Sequence, residues 1–163
     1  MSKLENLKDL LEYELQDLYS AEKQLTEALP KLAKSAKSST LKTAFESHLK
    51  QTETHIERLE KVASEAKVDI KGEECKAMKG LIKEGSEMMK ENADEAVHDA
   101  GLIAAAQRVE HYEIAGYGTV VRYLQMMKMN SAAKILSQTL DEEKQTDLKL
   151  TEIAEKINVD AMA

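Results

Sequence analysis

The sequence predicts an all-α fold, a four-helix bundle of two antiparallel hairpins whose long crossover carries a short fifth helix. Three observations predict it. The 163 residues include one Pro and six Gly, so long stretches run without a helix breaker, and Ala, Leu, Glu and Lys dominate. Apolar residues recur every three or four positions in four long segments. The first and last connections between those segments are short, and the middle one is long.

The first helix is expected from about Leu4 to Lys34, with Leu4, Leu7, Leu11, Leu18, Leu25 and Leu29 on one stripe. Pro30 lies late in it and should kink or end it. Residues 35–40 (SAKSST) form the first turn, with Ser39 or Thr40 as N-cap. The second helix spans about Leu41 to Ala66, with a stripe of Leu41, Phe45, His48, Thr52, His55, Leu59 and Val62. The crossover runs from Lys67 to about Asp94 and holds a shorter helix near Glu74 to Glu91, bounded by Gly72 and Asn92. The third long helix covers about Glu95 to Met127, and the fourth about Ala132 to Ile157. A helix of ~25 residues is ~37 Å long, so all four can run the length of one bundle. Two short-looped hairpins joined by a long crossover make a ferritin-like arrangement, read as a single domain over residues 1–163.

Bulk chemistry narrows the function. Lys and Arg number 23 against 30 Asp and Glu, a net charge of −7, which argues against nucleic acid because phosphate binding needs a basic face. No apolar run approaches the ~20 residues of a membrane span, and the start, MSKLENLKDLLEYEL, lacks a signal-peptide pattern. One Cys, Cys75, permits no intramolecular disulfide. The expectation is a cytoplasmic protein.

The seam of the third helix is where chemistry enters. It reads Ile103, Ala106, Glu110, Glu113, Tyr117, Val120, Leu124. A core helix would carry Leu or Ala at 110 and 113. A carboxylate buried there must be paired, protonated or bound to a cation. The other long helices carry similar intrusions: Glu14 and Asp17 on the first, His48, Gln51 and His55 on the second, Glu143 and Asp147 on the fourth. Spacings of three and four put each set on one face. Two weak repeats support a shared depth: Asp17-Leu18-Tyr19 matches Glu110-His111-Tyr112, and Gln51 to His55 matches Glu143 to Asp147.

Dimetal sites in four-helix bundles take Glu from two helices and Glu plus His one turn later from the other two. Carboxylates neutralise the paired ions and leave open positions for oxygen species. This chain keeps no strict Glu-x-x-His, and Gln51 stands where a bridging Glu is expected; Gln offers a carbonyl oxygen but cannot bridge as an anion. The candidate ligands are Asp17, His48, Gln51, His55, Glu110, Glu113, Glu143 and Asp147. Glu110 and Glu143 are read as bridging, Asp17 and Asp147 as terminal, and His48 or His55 as the nitrogen ligand. Fe or Mn fits such an oxygen-rich set better than Zn or Cu. Glu22, a little over one turn past Asp17, reads as supporting or solvated. Two other readings stay open: a single-metal carrier, and a metal-free polar layer in a bundle that acts through its surface.

Three stretches, DLYSAEKQLTEALPKLAK, AAQRVEHYEIAGYGT and LDEEKQTDLKLTEIA, together with GLIKEG in the crossover, closely resemble the YciF/YciE-like bacterial stress proteins, a branch of the ferritin-like superfamily. The resemblance covers nearly the whole chain. It implies a ferritin-like bundle that dimerises, a dimetal centre and an association with stress. Carried over position by position, the pattern matches Asp17, His48, Glu110, Glu113, Glu143 and Asp147, while relatives tend to carry Glu where this chain has Gln51. The reading is a stress-response protein with a di-iron or di-manganese centre for oxygen or peroxide chemistry. Of the remaining residues, Tyr19, Tyr112 and Tyr117 read as amphipathic fillers, Cys75 as a small buried hydrophobe, and His98 and His111 as solvated.

Overall fold

The structure, a computed structural model, describes residues 4–163 and contains five helices. They are α1 Leu7–Ser35, α2 Ser39–Ala66, α3 Lys76–Met88, α4 Glu95–Met126 and α5 Asn130–Asp160. It is the predicted ferritin-like bundle: α1 packs on α2 and α4 on α5, the two hairpins meet through α2–α5 and α1–α4, and α3 lies against α4 and α1.

Local chemistry sets the helix ends. Asn6 caps α1 by accepting from the amides of Lys8 and Asp9, which satisfies two of the donors a helix start leaves open. Pro30 does not end α1, which continues to Ser35; near the C-terminus a proline removes one hydrogen bond while the buried face, Leu29 and Ala33, still holds the last turn. The cap of α2 is Ser38 rather than Ser39 or Thr40, its hydroxyl accepting from Leu41 N at 3.4 Å. The turn before it is pinned from α4. Asp99 accepts the amides of Lys37 and Ser38, the shortest at 2.6 Å, and His98 lies 3.2 Å from Ser35 Oγ. His98 is therefore buried, against the solvated position expected for it; His111 is exposed as expected.

Two helices stop in left-handed residues, Lys67 (φ 55°) and Lys128 (φ 61°). At each, the next residue's amide returns to the last turn, Val68 N to Ala63 O and Met129 N to Leu124 O, the Schellman arrangement that usually employs glycine. Gly116 has a steric reason: a Cβ there would meet Leu18 Cδ2 at 2.7 Å, so α4 and α1 approach closely at that level. A Cβ at Gly118 would meet nothing.

The core is in two parts. One cluster holds Leu25, Leu29, Leu41, Phe45, Leu102 and Leu150, and the other Leu11, Leu15, Leu18, Leu59, Val120 and Leu136. On every long helix the switch from one cluster to the other falls at polar residues: Glu22 on α1, residues 48–55 on α2, Glu110 and Glu113 on α4, and Glu143 on α5. A polar layer thus divides the bundle between two apolar plugs.

Candidate metal centre

The seam carboxylates of α4 meet their counterparts in that layer. Glu22, His48, His55, Glu110, Glu113 and Glu143 are each at most 3 % exposed. Their ligand-type atoms converge in two groups. His48, Glu110, Glu113 and Glu143 form one, Glu22, His55 and Glu143 the other, with atoms in each group within 4.8 Å of one another and Glu143 common to both.

The two histidines approach the carboxylates closely inside the layer. His55 Nδ1 lies 3.2 Å from Glu22 and 3.0 Å from Glu143, and His48 Nε2 lies 3.2 Å from Glu110 and 3.7 Å from Glu143. Even so, both of those ring nitrogens, both oxygens of Glu113 and Glu143, and one oxygen each of Glu22 and Glu110 have no hydrogen-bond partner. Orphaned buried atoms of this kind are rare and costly.

The outward-facing atoms are ordered. His55 Nε2 lies 2.8 Å from Glu142, whose carboxylate takes a two-pronged contact from Arg58 at 2.7 and 3.0 Å. Glu142 thus fixes the ring so that Nδ1 turns inward, the orienting device of metal-binding histidines. On His48 the roles reverse: Nδ1 faces the Thr146 hydroxyl at 3.4 Å and Nε2 turns inward. The Tyr117 hydroxyl donates to Glu22 Oε1 and leaves Oε2 to the layer. Tyr117 is more than a filler: its hydroxyl holds a cluster residue.

Electrostatics match the geometry. Burial drives the Glu113 pKa well above the carboxylate range, and the charges of Glu22, Glu143 and Glu110 add to it. Burial also raises Glu22 and Glu143, against the opposing pull of His55. For the histidines burial works against the charged ring, but the surrounding carboxylates outweigh it and hold His48 at about 9 and His55 at about 10. Glu142 is held below its ordinary value, because the Arg58 and His55 bonds outweigh its burial. Bare, the layer holds excess negative charge that only protons relieve. The donor set fits a pair of divalent cations: four carboxylates balance two dications, and two neutral imidazoles complete a mixed oxygen–nitrogen set.

Five of the eight residues singled out in the sequence converge here: His48, His55, Glu110, Glu113 and Glu143. Asp17, Gln51 and Asp147 do not. Asp17 accepts from the Tyr112 hydroxyl, which also touches Cys75 Sγ at 3.3 Å. Asp147 sits at the surface beside His111 and Gln107. Gln51 is half-buried on a cavity wall next to His48 and Glu110. Asp17 and Gln51 are each one register step off the buried positions Leu18 and Thr52, and one residue is about 100° on a helix. Glu22, read as supporting or solvated, is fully buried within the group. The signal for it was available: 22 fills the gap between Leu18 and Leu25 in the α1 stripe.

Fold and site together define a ferritin-like four-helix bundle with a buried histidine–carboxylate layer that could hold metal. The chain belongs to the family described as Domain of unknown function (DUF892), whose profile matches residues 6–163. Protein YciF of Escherichia coli (strain K12) is 47 % identical over 152 residues, covering 93 % of this chain and 92 % of that protein. The crystal structure of the E. coli stress protein YciF matches with a TM-score of 0.92 at 46 % identity, over 94 % of this chain and 98 % of that one. YcfI of Rhodopseudomonas palustris, for which a structural role has been suggested, matches with a TM-score of 0.88 at 40 % identity, over 91 % and 95 %. No described helix is long and apolar enough to cross a membrane.

Proposed function

We propose that the protein is a stress-response member of its family that holds two Fe or Mn ions in the polar layer and uses them on oxygen or peroxide. The observation that carries this is the set of unpartnered buried atoms on six residues from four helices, whose ligand-type atoms gather in two groups that share Glu143. The ligands would be Glu22, His55, His48, Glu110, Glu113 and Glu143, with Glu143 common to both groups. Bound there, the pair would supply electrons and an acidic site for oxygen species. The chain's own residues do the rest: Arg58 and Glu142 hold His55, Thr146 holds His48, Tyr117 holds Glu22, and the two apolar plugs close the layer toward the ends of the bundle. The reading takes residues 1–163 as one domain, takes a homodimer from the family likeness, and keeps the cytoplasm as the sequence-based expectation.

One observation favours a second reading, a metal-free structural layer. His48 and His55 each lie within ion-pair distance of two layer carboxylates, and the related YcfI has been suggested to be structural. Metal content decides. Protein purified without chelator should carry about two Fe or Mn per chain by elemental mass spectrometry, and Glu143→Gln should lose most of it. About one metal per chain would indicate a carrier, and none after anaerobic reconstitution with Fe(II) or Mn(II) would leave the layer structural.

A further inference from the structure

The layer is not sealed on every side. A cavity of about 210 Å³ lies inside the bundle and reaches His48 and Glu110. Its exposed lining residues come from α2 and α5, Ser47 on one and Gln145 and Lys149 on the other, so it opens between those helices. Its floor is apolar, built from Leu25, Leu29, Phe45 and Val109. Ala44 and Ala106 stand where larger side chains would close it. Protein interiors leave few voids larger than a water. This one has an oily floor and reaches, on one side, two buried residues of the polar layer, His48 and Glu110.

Those features select an occupant. At water's share of ~30 Å³, the volume suits about seven non-hydrogen atoms, more than dioxygen or hydrogen peroxide needs. The apolar floor disfavours a charged body, which would lose its hydration without a partner. Polar chemistry at the His48 and Glu110 wall requires one oxygen-bearing end.

We infer that the cavity binds a small neutral amphipath, an alkyl alcohol or hydroperoxide of about six carbons, its chain on the apolar floor and its oxygen head toward His48 and Glu110. The inference deepens the proposed function, and rests on it only for the metal that would meet the head. Lys149 at the mouth leaves one competitor, a fatty acid lying the other way with its carboxylate outside.

1-Hexanol, with hexanoate as the comparison, separates these cases by NMR on protein stripped of metal with chelator, since Fe or Mn beside His48 would broaden the Phe45 signals. Phe45 is the chain's single Phe, so its ring signals report occupancy without any variant. A saturable shift of the Phe45 ring by hexanol, with a Kd on the order of 1 mM, is expected. Binding should weaken by about tenfold or more in Ala44→Leu and in Ala106→Leu, with helix content and metal content unchanged. The absence of a saturable Phe45 shift in the wild-type protein overturns the inference, as does hexanoate binding about tenfold tighter than hexanol. Metal content of the same preparations before chelation keeps the two claims apart. Hexanol binding to protein that takes up no metal supports the cavity and sinks the metal pair; two metals per chain without hexanol binding does the reverse.

Discussion

Glu113 is the residue on which the competing readings disagree most. It is fully buried, neither of its oxygens has a partner, and burial among three other carboxylates raises its pKa well above the ordinary range. If the layer were structural, Glu113 would be a poor choice, because a polar layer earns stability only when its members are satisfied. Glu113→Gln removes the charge and keeps the shape. The metal reading predicts that this variant unfolds at a higher temperature than wild type when both are metal-free at pH 8, by about 1–3 kcal/mol of stability. It also predicts lower metal content when both are loaded. Calorimetry with and without Mn(II) checks both halves; a variant that is less stable without metal would support a structural layer. The residue scale is also where the sequence was most and least readable. Glu110 and Glu113 were legible because they interrupt an apolar seam. The same test applied to α1 would have chosen Glu22 over Asp17. On α5 it keeps Asp147, four residues after Glu143 and three before Leu150, yet the structure turns that carboxylate to His111 and Gln107 instead. A seven-residue repeat drifts by only ~20° per heptad against a straight helix, far short of the ~100° that separates neighbouring positions, so what the sequence lacks is which side of a stripe each neighbouring helix covers.

Element boundaries were more legible than site residues, since breakers and caps mark them locally. Helices α2 and α4 begin or end within two residues of expectation, and α3 is shorter, starting at Lys76 where Cys75 caps it. What sequence could not show was how elements are fastened to one another, as with Asp99 on α4, whose carboxylate takes the amides of two residues at the α1–α2 turn. Asp99→Ala would leave those amides short of an acceptor in a partly buried turn. We expect a loss of about 2–3 kcal/mol, read as a lower midpoint in urea with an unchanged slope. A midpoint within error of wild type would mean that water replaces the carboxylate. The opposite sign is expected at the helix ends. Lys67 holds a left-handed conformation that costs a side-chain-bearing residue about 1 kcal/mol. Lys67→Gly relieves it, while glycine's greater freedom in the unfolded chain takes back part of the gain. A net rise of about 1–2 °C in the unfolding temperature should follow; a fall would show that the Lys67 side chain contributes contacts worth more than the strain.

At the scale of the whole molecule, two apolar plugs enclose a layer that is stable only when its charge is neutralised, by protons or by cations. The pKa directions fix how this depends on pH. Glu22, Glu113 and Glu143 all have folded values raised above 4.5, so the metal-free fold binds protons more tightly than the unfolded chain. Their contribution is full below the unfolded value and is lost as pH rises through the folded values. His48 and His55 are raised from 6.5 to about 9 and about 10; theirs is full below the unfolded value and is lost through pH 9–10. All five act in one direction, so the metal-free protein should lose stability steadily from pH 5 to pH 10. Metal reverses the slope. Cations take the place of the protons, so uptake releases protons and strengthens as pH rises. The gain in unfolding temperature on adding Mn(II) should therefore be smallest near pH 5 and grow toward pH 8. Thermal unfolding at several pH values, with Mn(II) or with chelator, measures both curves. Parallel curves would mean that Mn(II) binds away from the titrating layer. Diverging curves, together with proton release on Mn(II) addition in weakly buffered solution, would locate the metal among Glu22, His48, His55, Glu110, Glu113 and Glu143.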